Sequence, residues 1–171
     1  MKLEPIIEIP CMTTGLWRRF AIHLFEGKLT LANMEQLEKA SEGWHAKIQG
    51  KLVEMVVIYP SKAHMTSDER SRMTRIIKRW EHARAASATV ILADGLLGSL
   101  QRSVLTGMQM VVPAPHPTKV FGETPAAVRW LGPHIEEVCG PEAKEKDLVA
   151  AIETLADGFM KREVRAPMEL A

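Results

Sequence analysis

Apolar and polar residues alternate from Trp17 to Phe25, through Arg18, Arg19, Phe20, Ala21, Ile22, His23 and Leu24. A two-residue period puts successive side chains on opposite faces, so the segment is expected as a strand, ended by Glu26-Gly27-Lys28. The period then changes. Met34, Leu37, Trp44 and Ile48 recur at three- and four-residue spacings interrupted by Ser41, with Glu35, Glu38, Lys39 and Glu42 on the other side. This predicts a helix capped by the Thr30 hydroxyl and ended by Gly50. Leu52–Tyr59 is apolar on both faces, as expected for a central strand covered by helices on each side. After Pro60-Ser61-Lys62, Thr66-Ser67-Asp68-Glu69 forms a capping-box pattern and opens a second helix. Its apolar stripe is Met73, Ile76, Ile77, Trp80 and Ala83; its outer face holds Arg70, Arg72, Arg75, Lys78, Arg79 and Arg84.

Further along, Ala88–Ala93 reads as a third strand, followed by Asp94-Gly95. Leu97, Leu100, Val104 and Met108 mark a third helix, and Pro113, Pro115 and Pro117 a stiff loop. Thr118–Phe121 is a short strand, and Pro125–Leu131 opens a short helix with proline at an early position. The order β-α-β-α-β-α-β-α implies an α/β fold with a sheet that is at least partly parallel. Residues 1–15 are expected as an N-terminal arm with one short extended piece at Ile6–Ile9, and 16–132 as the α/β domain. Gly132-Pro133 and Gly140-Pro141 then set off a C-terminal extension, 133–171. Within it Glu142–Arg162 forms an amphipathic helix with Leu148, Ile152, Leu155 and Phe159 in line.

Composition narrows the class. The chain has 171 residues, 46% hydrophobic and 25% charged, as in a soluble globular domain. A net charge of +1 gives no general support for nucleic-acid binding, and one Tyr with four Phe limits base-stacking platforms. Cys11 and Cys139 are too few for a disulfide framework, and neither has a zinc-ligand neighbour, which points to a reducing compartment. No apolar run approaches the roughly 20 residues that span a bilayer. A cytoplasmic protein without a membrane or nucleic-acid partner is expected.

The chemistry-bearing residues form no familiar constellation. Gly43 to Gly50-Lys51 has the wrong spacing for a phosphate loop and precedes a strand. Asp94-Gly95-Leu96-Leu97-Gly98-Ser99 reads as a turn and a helix start, with an anion-holding loop as the sharper alternative. None of His23, His45, His64, His82, His116 and His134 pairs with another ligand at helical spacing. There is no Gly-x-Ser-x-Gly elbow, and Cys139 reads as a structural thiol. No catalytic residue, metal ligand or cofactor is therefore assigned. Two surfaces stand out: the basic face of the second helix, and the C-terminal stripe Leu148, Ile152, Leu155 and Phe159, expected as an oligomer contact.

From Trp17 to Leu131 the chain resembles the STAS/SpoIIAA-like proteins, best known through anti-sigma-factor antagonists. The likeness is carried by Gly27-Lys28-Leu29-Thr30 and by Met65-Thr66-Ser67-Asp68-Glu69-Arg70 before Trp80. Its most specific part is Pro113-Ala114-Pro115-His116-Pro117-Thr118-Lys119-Val120-Phe121 followed by Ala126-Ala127-Val128-Arg129-Trp130-Leu131, which looks like divergent STAS-like proteins of bacteria. The resemblance implies a small α/β sandwich used for protein–protein interaction, with no chemistry of its own. Antagonists carry an Asp-Ser-Ser-Gly-like segment in which a Ser is phosphorylated. Here Ser67 matches one Ser, Asp68 replaces the other and Glu69 replaces the Gly, a departure that argues against phosphorylation. The expectation is a non-enzymatic, regulatory interaction module, a homodimer that docks another protein through Ser67, Asp68, Arg72, Arg75 and Arg79. Two alternatives stand beside it. One is a binder of a small apolar ligand or lipid in a groove lined by Leu97, Leu100, Val104 and His116. The other is an enzyme using Asp94 with His64 or His116.

Overall fold

The computed structural model describes residues 1–61, 65–92, 95 and 114–163, with side chains to 161. Six strands, β1 (Glu4–Ile9), β2 (Met12–Trp17), β3 (Phe20–Phe25), β4 (Leu52–Ile58), β5 (Arg84–Ile91) and β6 (Thr118–Phe121), lie in one sheet in chain order. The first three are antiparallel, and β3 to β6 run parallel. Four α-helices are described: α1 (Leu31–His45), α2 (Ser67–Arg79), α3 (Thr124–Cys139) and α4 (Glu145–Glu163). This is the mixed α/β class that the alternation of elements predicts.

Both expected caps form. Thr30 accepts from the Asn33 N–H and Thr66 from the Glu69 N–H, and each partner side chain reaches back to the cap's own backbone. Four other expectations need correction. The arm 1–15 is two strands: Glu4 to Ile9 pair with Leu16 to Met12 and widen the sheet. The strand expected over Trp17–Phe25 is two strands joined by a tight turn at Arg18-Arg19. No glycine marks that turn. Arg18 takes φ +53, a conformation unfavourable for a side-chain-bearing residue. Its guanidinium compensates by donating to the Cys139 carbonyl at 2.6 Å and pairing with Glu142. The third departure is α3, which runs through Gly132-Pro133 to Cys139. An interior proline costs about 3 kcal/mol. The buried stripe Ala127, Val128, Leu131, Ile135 and Val138, continuous across Pro133, offsets that cost. Fourth, β5 begins at Arg84, a residue the pattern assigns to the outer face of a helix.

Two cores flank the sheet. On one face Phe20, Ile22, Leu24, Val53, Met55 and Val57 meet α3 and α4. Leu148, Ile152 and Phe159 are buried in this core, and Leu155 packs against it. The C-terminal stripe expected as an oligomer contact is thus covered by the protein's own sheet. Gly15 admits α4: a Cβ there would lie 2.6 Å from Leu155 Cδ2. On the other face Ile7, Met12, Ala21, Met34, Leu37, Trp44, Leu52 and Ile76 form a second core with α1 and α2.

Candidate functional site

Side chains alternate along each strand, so one face of β3 to β6 points at α1 and α2. On that face the parallel register puts Glu54, Ser87 and Thr118 side by side on neighbouring strands. His23 sits beside Val56, with Thr14 on its other flank. Above them α2 rests mainly on α1 and on the turn that follows α2. The space beneath is a cavity of about 440 Å³. Its walls are Met12, Phe25, Leu29, Leu37, Trp44, Met65, Met73, Ile76 and Trp80, and its floor carries the polar row.

The floor is a connected network. Thr14 Oγ1 lies 2.8 Å from His23 Nδ1, and His23 Nε2 lies 3.2 Å from Glu54 Oε1. Arg84 Nη2 donates to the same oxygen at 3.1 Å, and its Nε stands 2.5 Å from Oε2. The Glu54 and Arg84 side chains are only 12% and 9% exposed. Burial opposes the Glu54 charge. The Arg84 guanidinium and the His23 hydrogen bond outweigh it and hold the carboxyl below the usual carboxylate range. The pair is therefore ionised and mutually neutralised.

A second network lies beside it. Thr118 Oγ1 donates to the His116 carbonyl at 3.2 Å. Ser87 Oγ stands 3.2 Å from Thr118 Oγ1 and 3.1 Å from His116 Nε2. With its proton committed to the carbonyl, Thr118 accepts from Ser87, and Ser87 accepts from His116. The network thus assigns His116 the Nε2–H tautomer and leaves Nδ1 a bare acceptor. That atom is buried without a partner, as is Trp44 Nε1. Burial lowers the His116 pKa, so the ring is neutral at neutral pH. At the end of α1, His45 is sandwiched between Trp44 at 3.9 Å and Trp80 at 4.0 Å. Burial there lowers its pKa to about 4.

The expected site residues fall in three places. Ser67, Asp68 and Arg75 are exposed on α2. Arg72 and Arg79 turn toward α1 and pair with Glu38 and Glu42, so the basic face is partly neutralised. His116 enters the cavity, whereas Leu97, Leu100, Val104, Asp94 and His64 lie outside the described residues. Cys11 and Cys139 are buried and not joined in a disulfide, and burial pushes the Cys139 thiol up. Among the described residues no three His, Cys, Asp or Glu side chains gather as a metal site, and no helix is long and apolar enough to cross a membrane. Glu54, the one charge in an otherwise apolar strand run, is the signal in the sequence that marks this floor. Ser87 and Thr89, two apart in an alanine-rich strand, are the weaker companion signal.

A protein from Shewanella loihica PV-4, an uncharacterised member of the DUF3478 family with a SpoIIAA-like fold, superposes on this chain with a TM-score of 0.55. The match covers 70% of this chain and 91% of the other. This chain has a SpoIIAA-like fold. At 16% identity the likeness speaks for the fold alone. No protein-family model and no curated protein matches the sequence. Within the SpoIIAA-like frame the cavity lies on the sheet face that α1 and α2 cover, opposite the core of α3 and α4.

Proposed function

We propose that this protein binds a small, largely apolar molecule in the cavity between α1, α2 and the sheet. The cavity itself carries this reading. Its volume of about 440 Å³ falls in the range of ligand sites, roughly 300–1,000 Å³, and it combines apolar walls with a few convergent polar groups. A buried ion pair is weak evidence for stability, since well-packed apolar residues do as well or better. A floor built of Glu54, Arg84 and His23 is better accounted for by recognition.

The test is a titration of the full chain with the neutral fluorophore N-phenyl-1-naphthylamine. Saturable enhancement with one site per chain is expected in the wild type. Thr89→Phe, which puts a ring on the cavity floor, should weaken it at least tenfold while keeping a cooperative unfolding transition. Absence of binding, or equal binding by the folded variant, would remove the proposal.

Interaction with another protein is the second reading, supported by the exposed outer side of α2 at Ser67, Asp68 and Arg75. The inner side of that helix lines the cavity, so a bound molecule would bear on the surface a partner meets. A partner retained from lysate by the wild type and lost by Arg75→Glu would support it; retention by both would place docking elsewhere.

A further inference from the structure

Among the described residues, four buried side-chain polar atoms have no hydrogen-bond partner, and two of them, Trp44 Nε1 and His116 Nδ1, belong to neutral side chains that line the cavity. Trp44 is 9% exposed, and its Nε1–H has no acceptor. His116 Nδ1, left bare by the Ser87–Thr118 network, has no donor. A buried donor or acceptor left unmade costs about 1–3 kcal/mol, so native proteins rarely keep two in one place without a use. The charges on the lining set a second condition. Glu54 and Glu81 face a single guanidinium, Arg84, which Glu54 already engages. Among the described lining residues no further Lys or Arg is available for an anionic ligand, and the carboxylates outnumber the guanidinium by one. The shape of the walls sets a third. The rings of Trp44, His45 and Trp80 stand in one stack, with the thioethers of Met65 and Met73 nearby. Flat rings and adaptable thioethers suit a planar aromatic body.

We infer that the ligand is a neutral, planar aromatic molecule with a hydroxyl-type donor, which hydrogen-bonds to His116 Nδ1 while an acceptor on the ligand takes the Trp44 Nε1–H. This rests on the cavity being a binding site, as proposed above, and adds the chemistry that selects the occupant. It separates phenol-type molecules from apolar compounds without a donor, which leave Nδ1 unpaired. It also separates them from aromatic carboxylates, which bring a second uncompensated negative charge.

Calorimetric titration of the full chain with three probes tests this: 2-naphthol, 2-methoxynaphthalene and 2-naphthoate. All three share a ring system. The methyl ether removes the donor and the carboxylate adds a charge. The expected order is naphthol first, the ether about tenfold weaker, and naphthoate weakest. In His116→Phe the advantage of naphthol over the ether should vanish. In Trp44→Phe both should weaken alike, since both carry an acceptor. Equal affinity of naphthol and the ether for the wild type, or preference for naphthoate, would overturn the inference and leave the cavity proposal standing. If N-phenyl-1-naphthylamine and all three probes fail to bind, both fall together. The wild-type comparison decides the matter even where a variant fails to fold.

Discussion

At the scale of single residues, the molecule is organised by a few polar side chains set into an apolar sheet. Glu54 and Arg84 are buried as a pair, and removal of one partner leaves the other charged without compensation. Glu54→Gln should therefore destabilise the fold by about 3–5 kcal/mol, read by urea denaturation. The double variant Glu54→Gln with Arg84→Met should recover much of that loss. If the single variant proves neutral, the ion pair is not part of the framework. The carboxyl is held below its unfolded value, so its contribution is present above the ordinary carboxylate range and fades as pH falls below it. His45 behaves in the opposite sense to a salt-bridged histidine. Its folded pKa is lowered from 6.5 to about 4, so between those values the unfolded chain takes up the proton more readily. Stability should fall as pH drops through that window. His45→Phe, which keeps the stack, should lose less over the same interval in a pH series of melting curves. Identical slopes would mean that His45 is not sheltered as described. These residues were only partly legible in the sequence. Glu54 interrupts an apolar run, but His45 and Arg84 are ordinary in composition and gain their roles from elements distant along the chain.

At the scale of elements, legibility followed the locality of the signal. The caps at Thr30 and Thr66 depend on residues three apart, and both formed as the sequence implies. The hairpin at Arg18-Arg19 depends on carbonyls at Val138 and Cys139, more than a hundred residues away, and has no local mark. Helix α3 passes Pro133 for a related reason: packing on the sheet outweighs a local break. The stripe of α4 was visible, and its destination was not. An apolar helix face looks the same whether it covers its own sheet or a second subunit. Burial of Leu148, Ile152 and Phe159 in the core with Phe20 and Ile22 decides for the first. A chain ended at Leu131 should therefore fail to fold, with loss of cooperative melting and of near-ultraviolet circular dichroism. A well-folded truncated chain would contradict this placement. Arg72 and Arg79 make the same point for charge. The basic run on α2 reads as an outer face, yet two of its members reach across to Glu38 and Glu42 on α1.

At the scale of the whole molecule, a mixed sheet separates two different packings. One face carries a dense apolar core under α3 and α4. The other carries a polar row under α1 and α2, with space left between. The alternation of elements was enough to anticipate the α/β frame, because layer architecture follows from element order. The cavity could not be anticipated in that way, since it depends on how far α2 stands from the sheet. The four tryptophans are divided between the two faces: Trp44 and Trp80 line the cavity, while Trp17 and Trp130 pack against the opposite core. Their indole N–H resonances thus report on each face separately within one sample. The most direct measurement is a proton–nitrogen correlation spectrum of the full chain recorded during titration with 2-naphthol. The account predicts that the Trp44 and Trp80 signals shift to saturation, with Trp44 moving most, while Trp17 and Trp130 stay in place. Four unmoved indoles, or shifts confined to Trp17 and Trp130, would contradict it.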